Sequence, residues 1–251
     1  MKILLLDIET APNTAWIWDT KPQWIPPSQI KESSYTLCWA AKWLGSRDMM
    51  WARSSGKKGI HRVGMLREIH SLLDQADAVI HFNGRKFDVP KLNTDFLLHR
   101  IPPYAPFRQM DLILTMRSKF KFTSNKLDYL CKQMKLGEKL DHEGQELWSK
   151  CMDNDPQAWK TMEAYNKHDV VITERLYHEI LPWIKDHANY TLFSPSRTGV
   201  QCPKCGKSDY QSRGWDYTQT RRYRKYKCKA CLGWFRSVSS DKDQKASTVA
   251  L

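Results

Sequence analysis

Four acidic side chains and one tyrosine occupy positions suited to divalent-metal chemistry on phosphate. Asp7 and Glu9 flank Ile8 at the end of the apolar run Ile3-Leu4-Leu5-Leu6. Asp88 closes His81-Phe82-Asn83-Gly84-Arg85-Lys86-Phe87-Asp88, and Asp169 ends Tyr165-Asn166-Lys167-His168-Asp169. On a strand, alternation turns both carboxylates of Asp7-Ile8-Glu9 to one face and Ile8 to the other. On a helix, Tyr165 and Asp169 are four apart and share a face. His168, next to Asp169, points about 100° away. Carboxylates gathered at one point repel, by roughly 4 kcal/mol per pair at ~4 Å and an effective dielectric near 20. Such a group calls for cations, and oxygen ligands alone select Mg²⁺ or Mn²⁺ over zinc. Two such ions about 3.5–4 Å apart can clamp the attacking and leaving oxygens of an in-line phosphoryl displacement. Each acid taken singly is commonplace; the set is what informs.

A second constellation lies near the C-terminus. Of seven cysteines, four form Cys202-Pro203-Lys204-Cys205 and Cys228-Lys229-Ala230-Cys231, with 22 residues between the inner pair. That spacing fits a closed, structural zinc site of four cysteines and resembles a zinc ribbon. A thioredoxin-like redox reading fails, because neither pair opens a helix in a βαβ setting. Cys38, Cys131 and Cys151 are expected as ordinary buried thiols. Between the knuckles, Arg221-Arg222-Tyr223-Arg224-Lys225-Tyr226-Lys227 mixes rings with cations, and Trp215, Tyr217, Trp234 and Phe235 add more rings. Phosphates and stacked bases suit that mixture; docking of a replication or repair protein is the other reading.

The elements that must position these residues are legible in outline. Residues 2–7 read as a buried strand, and 35–44 and 48–53 as two more, turned by Gly45-Ser46. Residues 63–73 carry apolar positions at helical spacing, 78–82 form a short buried strand, and 89–99 a helix stopped by Pro102-Pro103. A last strand is expected over 108–114 and a short helix over 126–134. Asp155-Pro156 starts the clearest helix, an Asp N-cap with Pro at the first helical position, running to about Tyr177. Early strands followed by alternating strands and helices predict an α/β domain with a mixed central sheet flanked by helices. The expected organisation is a catalytic domain over 1–193, a linker at 194–199, a zinc ribbon over 200–238 and a flexible tail over 239–251.

The charge is uneven. Of a net +13, residues 199–251 carry +8, from 12 Lys/Arg against 4 Asp/Glu. A basic end suits a polyanionic partner, nucleic acid above all. The apolar run at the N-terminus is too short for a secretory segment or a membrane span. A cytoplasmic, membrane-free protein is therefore expected.

Jointly, the acidic motifs across roughly residues 1–185 resemble the DEDD 3′–5′ exonucleases of the ribonuclease H-like superfamily. The family's D-x-E is Asp7 and Glu9, and its Asn-x(2–3)-aromatic-Asp is Asn83, Phe87 and Asp88. Its branches differ at the third motif, one having His five before the last Asp, the other Tyr four before it. Here Ala164 and Tyr165 hold those positions. The resemblance is thus to the tyrosine branch (DEDDy), similar to proofreading domains of family B DNA polymerases. It implies two catalytic Mg²⁺ or Mn²⁺ ions held by Asp7, Glu9, Asp88 and Asp169, with Asp7 bridging both. Glu9 and Asp169 would serve the ion that activates water, and Asp88 would act through the second ion or its waters. Tyr165, with a reference pKa near 10, would orient the water rather than act as a free base. The implied activity is 3′–5′ removal of nucleotides from single-stranded ends, DNA favoured over RNA, with one structural Zn²⁺ on Cys202, Cys205, Cys228 and Cys231. A structure-specific endonuclease or ribonuclease of the same superfamily, and a non-catalytic zinc-ribbon binding protein, are the alternatives.

Candidate substrate contacts are Thr10, Asn83 and Phe87. Trp16, Trp18 and Trp24 either stack on bases or pack a long loop onto the core. Arg85 and Lys86 either meet phosphate or are solvated. Asp128 is read as a structural helix residue rather than a fifth ligand.

Overall fold

The computed structural model describes residues 1–21, 24–54, 62–138, 140, 143–193, 199–242, 244 and 246–248. In chain order the elements are β1 (Ile3–Thr10), β2 (Thr14–Ala15), β3 (Ile30–Glu32), β4 (Thr36–Trp43), β5 (Met49–Arg53), α1 (Arg62–Asp74) and β6 (Ala78–His81). They continue with α2 (Asp88–Leu98), β7 (Arg108–Asp111), α3 (Leu112–Lys119), α4 (Leu127–Gln133), α5 (Gln145–Met152), α6 (Pro156–Ile180), β8 (Tyr210–Tyr217), β9 (Arg222–Cys228) and β10 (Trp234–Arg236). The chain forms two compact units, Lys2–Leu176 and, with Met1, Tyr177–Leu251. Residues 194–198 of the expected linker lie outside the described residues.

The larger unit is built on a five-stranded sheet of order β5-β4-β1-β6-β7. β4 pairs antiparallel with β1 and β5, whereas β6 runs parallel to β1 and β7 parallel to β6. Mixed α/β architecture follows directly from this pairing. On one face, Leu4, Leu6 and Ile8 of β1 pack with Met65, Leu66, Ile69 and Leu73 of α1 and Leu92 and Phe96 of α2. On the other, Leu37 and Cys38 meet Leu147 and Cys151 of α5 and Trp159, Met162 and Tyr165 of α6. Helices on both faces keep the central strand dry, which is why β1 reads as an unbroken apolar run until Asp7.

α6 starts where Asp155-Pro156 predicts. The Asp155 carboxylate accepts the N–H groups of Gln157 (2.7 Å) and Ala158 (3.0 Å). The strand expected over 108–114 ends earlier, at Asp111, and α3 begins at Leu112. Asp111 is the reason: its side chain accepts from Ile113 N and caps a helix that the apolar residues 112–114 conceal in the sequence. Helix α5 has no counterpart among the expected elements. Cys38, Cys131 and Cys151 are buried free thiols. Trp16, Trp18 and Trp24 do not pack onto the core; they are 66%, 92% and 80% exposed.

The smaller unit holds a three-stranded antiparallel sheet of order β10-β9-β8. Tyr210, Tyr226 and Phe235 pack their rings together on one side of it. The nearly buried Lys204 donates its ammonium to the carbonyls of Leu181 (3.2 Å) and Pro182 (2.5 Å). Part of the segment expected as a flexible tail is tied back: Asp241 accepts two bonds from the Arg222 guanidinium, and Ala246 N donates to Thr220 O. Among the described residues, no helix is long and apolar enough to cross a membrane.

Candidate active site

The acidic residues gather at the C-terminal ends of the parallel strands, the edge where open α/β sheets place their ligands. Alternation along β1 turns Ile8 into the core cluster and leaves Asp7 and Glu9 together on the opposite face. A register shift between Glu9 and Thr10 ends the regular pairing with β4 just past the pair. From α6, Asp169 joins them. Carboxylate oxygens of Asp7, Glu9 and Asp169 all lie within 4.8 Å of one another. At that separation each ionised pair repels by about 3–4 kcal/mol at an effective dielectric near 20. A divalent cation relieves that repulsion, and the all-oxygen donor set fits Mg²⁺ or Mn²⁺.

Asp88 does not join this trio. It is 4% exposed at the first turn of α2, and its Oδ1 accepts the N–H of Ile8 (3.1 Å), between Asp7 and Glu9. Burial pushes its carboxyl up to about 6, against the lowering pull of that N–H. Tyr165 is buried one helical turn before Asp169, its ring edge-on to Trp148 at 6.1 Å. His168 points elsewhere, with Nε2 2.7 Å from the Glu138 carbonyl.

The loop that delivers Asp88 is held by side chains which the motif does not contain. Asp111 at the end of β7 accepts from Asn83 N (2.8 Å) and Arg85 N (3.2 Å). Fully buried His81 meets the Gly84 N–H at Nδ1 (3.1 Å), and its Nε2 lies 3.2 Å from Gln109 Oε1. A Cβ at Gly84 would meet the His81 ring at 2.5 Å, so glycine is required there. Asn83 sits at φ 69, a left-handed conformation that Asn tolerates better than most residues. Arg85 and Lys86 are exposed.

Asn166 escaped the sequence reading altogether. Completely buried on α6, it donates from Nδ2 to Asp7 Oδ2 (2.7 Å) and to the Asp7 carbonyl (3.3 Å). Its own Oδ1 lies 3.7 Å from Cys38 Sγ, the donor on that side. The signal was available: Asn166 is three residues before Asp169 and therefore on the same helix face.

An open cleft of about 770 Å³ runs beside the acids, with Asp7 and Asp169 in its wall. Asn83, Arg117, Thr123, Ser124, Asn125 and Lys126 supply further polar lining, and Asp128 stands there too. Of the three candidate substrate contacts, Asn83 lines this cleft. Thr10 ends β1, and Phe87 is 46% exposed at the N-terminal end of α2; neither is among the cleft's walls.

In the smaller unit, Cys202, Cys205, Cys228 and Cys231 bring all four sulfurs within 4.8 Å of one another. The Sγ atoms of Cys202 and Cys231 are 3.5 Å apart and those of Cys205 and Cys228 are 3.6 Å apart. Disulfide sulfurs would be about 2.05 Å apart. Tetrahedral zinc, with bonds of about 2.3 Å, sets sulfurs roughly 3.8 Å apart. The quartet therefore fits a metal and not two disulfides.

A family profile described as the RNase_H superfamily matches residues 53–181, a span holding Asp88, Tyr165 and Asp169 but beginning after Asp7 and Glu9. Among solved structures, the chain is similar to the family B DNA polymerase of the hyperthermophilic archaeon Pyrobaculum calidifontis. The TM-score is 0.52 at 18% identity, covering 72% of this chain and 24% of the polymerase. The chain thus spans about a quarter of that enzyme's length, and the likeness is one of fold. No curated protein matches by sequence.

Proposed function

The chain belongs to the RNase_H superfamily, and from that premise we propose that it is a metal-dependent 3′–5′ exonuclease of the tyrosine branch, acting on single-stranded DNA ends. The observation that carries this reading is the meeting of Asp7, Glu9 and Asp169 within 4.8 Å, with Tyr165 one turn before Asp169 on the same helix. Bound there, two Mg²⁺ or Mn²⁺ ions would supply charge neutralisation at the scissile phosphate and a water activated near neutral pH. Asp7, Glu9 and Asp169 hold that charge, while Asp88 contributes from beside β1. Tyr165 orients the attacking water through its hydroxyl. Asn83 and the polar wall from Thr123 to Lys126 bind the terminal nucleotides in the cleft. Cys202, Cys205, Cys228 and Cys231 hold one structural Zn²⁺. Similarity to a DNA polymerase supports DNA over RNA as substrate.

Matched single-stranded DNA and RNA, labelled at the 5′ end and digested in Mg²⁺ or Mn²⁺, test the reading. A DNA ladder shortening progressively from the 3′ end is the expected result. Internal cuts would identify an endonuclease instead, and faster loss of the RNA would move the substrate assignment to ribonuclease.

Asn166 is a positioning residue in this scheme, since it touches Asp7 and not the substrate. Asn166→Ala is expected to raise the Mn²⁺ concentration for half-maximal cleavage roughly 10–100-fold, the usual effect of removing an outer-shell partner. Most of the rate should return at saturating Mn²⁺. A reduced rate with an unchanged Mn²⁺ requirement would show that Asn166 does not tune the metal site.

A further inference from the structure

We propose that one face of the C-terminal sheet is a binding surface for single-stranded nucleic acid, with Trp234 as its stacking platform. This rests on the chain being an enzyme of nucleic acid, as proposed above. Residues directly opposite in an antiparallel pair share a face. Trp234 stands opposite Lys227, Arg236 opposite Lys225 and Asp216 opposite Tyr223. One face therefore presents Tyr223, Lys225, Lys227, Trp234 and Arg236.

Two of its three cations are in no ion pair among the described residues. The ammonium groups of Lys225 and Lys227 lie 5.6 and 5.9 Å from the centre of the Trp234 ring, which is 50% exposed. Among the described residues, neither lysine is in an ion pair. Asp216, the acid of this face, is already engaged with Arg236 at 2.7 Å. The opposite face is more engaged, although Arg224 there is exposed. There the rings of Tyr210, Tyr226 and Phe235 pack together, Arg222 is paired with Asp241 at 2.7 Å, and Arg222 and Arg224 both lie 4.2 Å from the Trp215 ring.

Alternate residues on a strand are about 7 Å apart, close to one nucleotide step of an extended single strand. Two successive phosphates can therefore reach Lys225 and Lys227 while the base between them lies on Trp234. Stacking of that kind is indifferent to sequence, because every base has a π-face. An acidic protein would match the cations but leave the half-exposed indole without a flat partner.

Binding of the Asp169→Asn chain to fluorescein-labelled oligothymidylate, followed by anisotropy over a range of salt, provides the test. Zinc content serves as the check that each variant is folded. Lys225→Gln/Lys227→Gln is expected to weaken binding and to reduce the slope of log K against log salt by about 1.4, roughly 0.7 per lost phosphate contact. Trp234→Ala should weaken binding roughly fivefold or more with the slope unchanged. Arg222→Gln/Arg224→Gln, on the other face, should do less than either. Wild-type affinity and slope in the lysine variant overturn the proposal, as does an equal loss from the arginine variant; a protein partner would then be sought. Affinity is read apart from cleavage. A chain that binds through this face but cuts nothing retains this inference and loses the exonuclease reading; one that cuts but binds indifferently to these changes does the reverse.

Discussion

Asp169→Asn is expected to reduce cleavage of a labelled single strand by at least about a thousandfold, on the order of 4 kcal/mol of transition-state stabilisation. The substitution keeps the shape of the side chain and removes one of three mutually repelling charges. It should therefore not lower the melting temperature of the metal-free protein, and relief of repulsion pushes it upward. Wild-type protein should melt higher with Mn²⁺ than without, by the linkage of binding to folding, and the variant should lose that increment. Asp7→Asn is expected to behave alike. Turnover within tenfold of wild type in either variant would sink the two-metal assignment. Loss of activity accompanied by a lower metal-free melting temperature would instead mark the residue as structural.

The second large effect concerns the cysteines. Among the described residues from 200 onward, the buried ones are Gln201, Cys202, Lys204, Cys228 and Gly233. Two of these five are proposed ligands and none is a large apolar side chain, so the sheet β8–β10 has little apolar interior of its own. Structural zinc contributes roughly 10–16 kcal/mol to the folding of comparable small modules, more than such a sheet can supply by burial. Cys228→Ser, or stripping of zinc by a chelator, should abolish amide-exchange protection across Tyr210–Arg236 while leaving protection in β1, β4 and β6. Hydrogen exchange read by mass spectrometry resolves the two regions. Full protection of the C-terminal sheet after verified loss of the metal would show that the quartet does not hold it together.

The readable part of this protein was the part encoded locally. Alternation in Asp7-Ile8-Glu9 gave the shared face of two carboxylates, and Asp155-Pro156 gave the start of the helix that brings Asp169. β1, β4 and β6 of the main sheet are legible because burial on both faces makes them apolar, whereas β5 and β7 are sheet edges with polar residues among the apolar ones. Asp111 was misread because apolar residues 112–114 look the same on a strand or in a helix; the capping carboxylate decided. β9 was hidden for the opposite reason. Cations and rings are mixed along it without alternation, Tyr223 and Tyr226 being three apart, so no period-two apolar pattern marks a strand. Asn166 carries only its place three residues before Asp169, because its partner Asp7 is distant in the chain, and His81 acts through a loop backbone; the folded arrangement is what assigns both. The three tryptophans near the N-terminus offered two readings, and their exposure removed the packing one.

The loop from Phe82 to Phe87 shows how the site can change without being lost. Asp111 and His81 grip it through the N–H groups of Asn83, Gly84 and Arg85, atoms that do not depend on which side chain follows. Lys86 and the ring of Phe87 are exposed beyond that grip, while the guanidinium of Arg85 returns to the Gln109 carbonyl at 3.3 Å. The side chains at 86 and 87 can therefore change while Asp88 stays in place, which lets the surface beside the acids diverge without disturbing them.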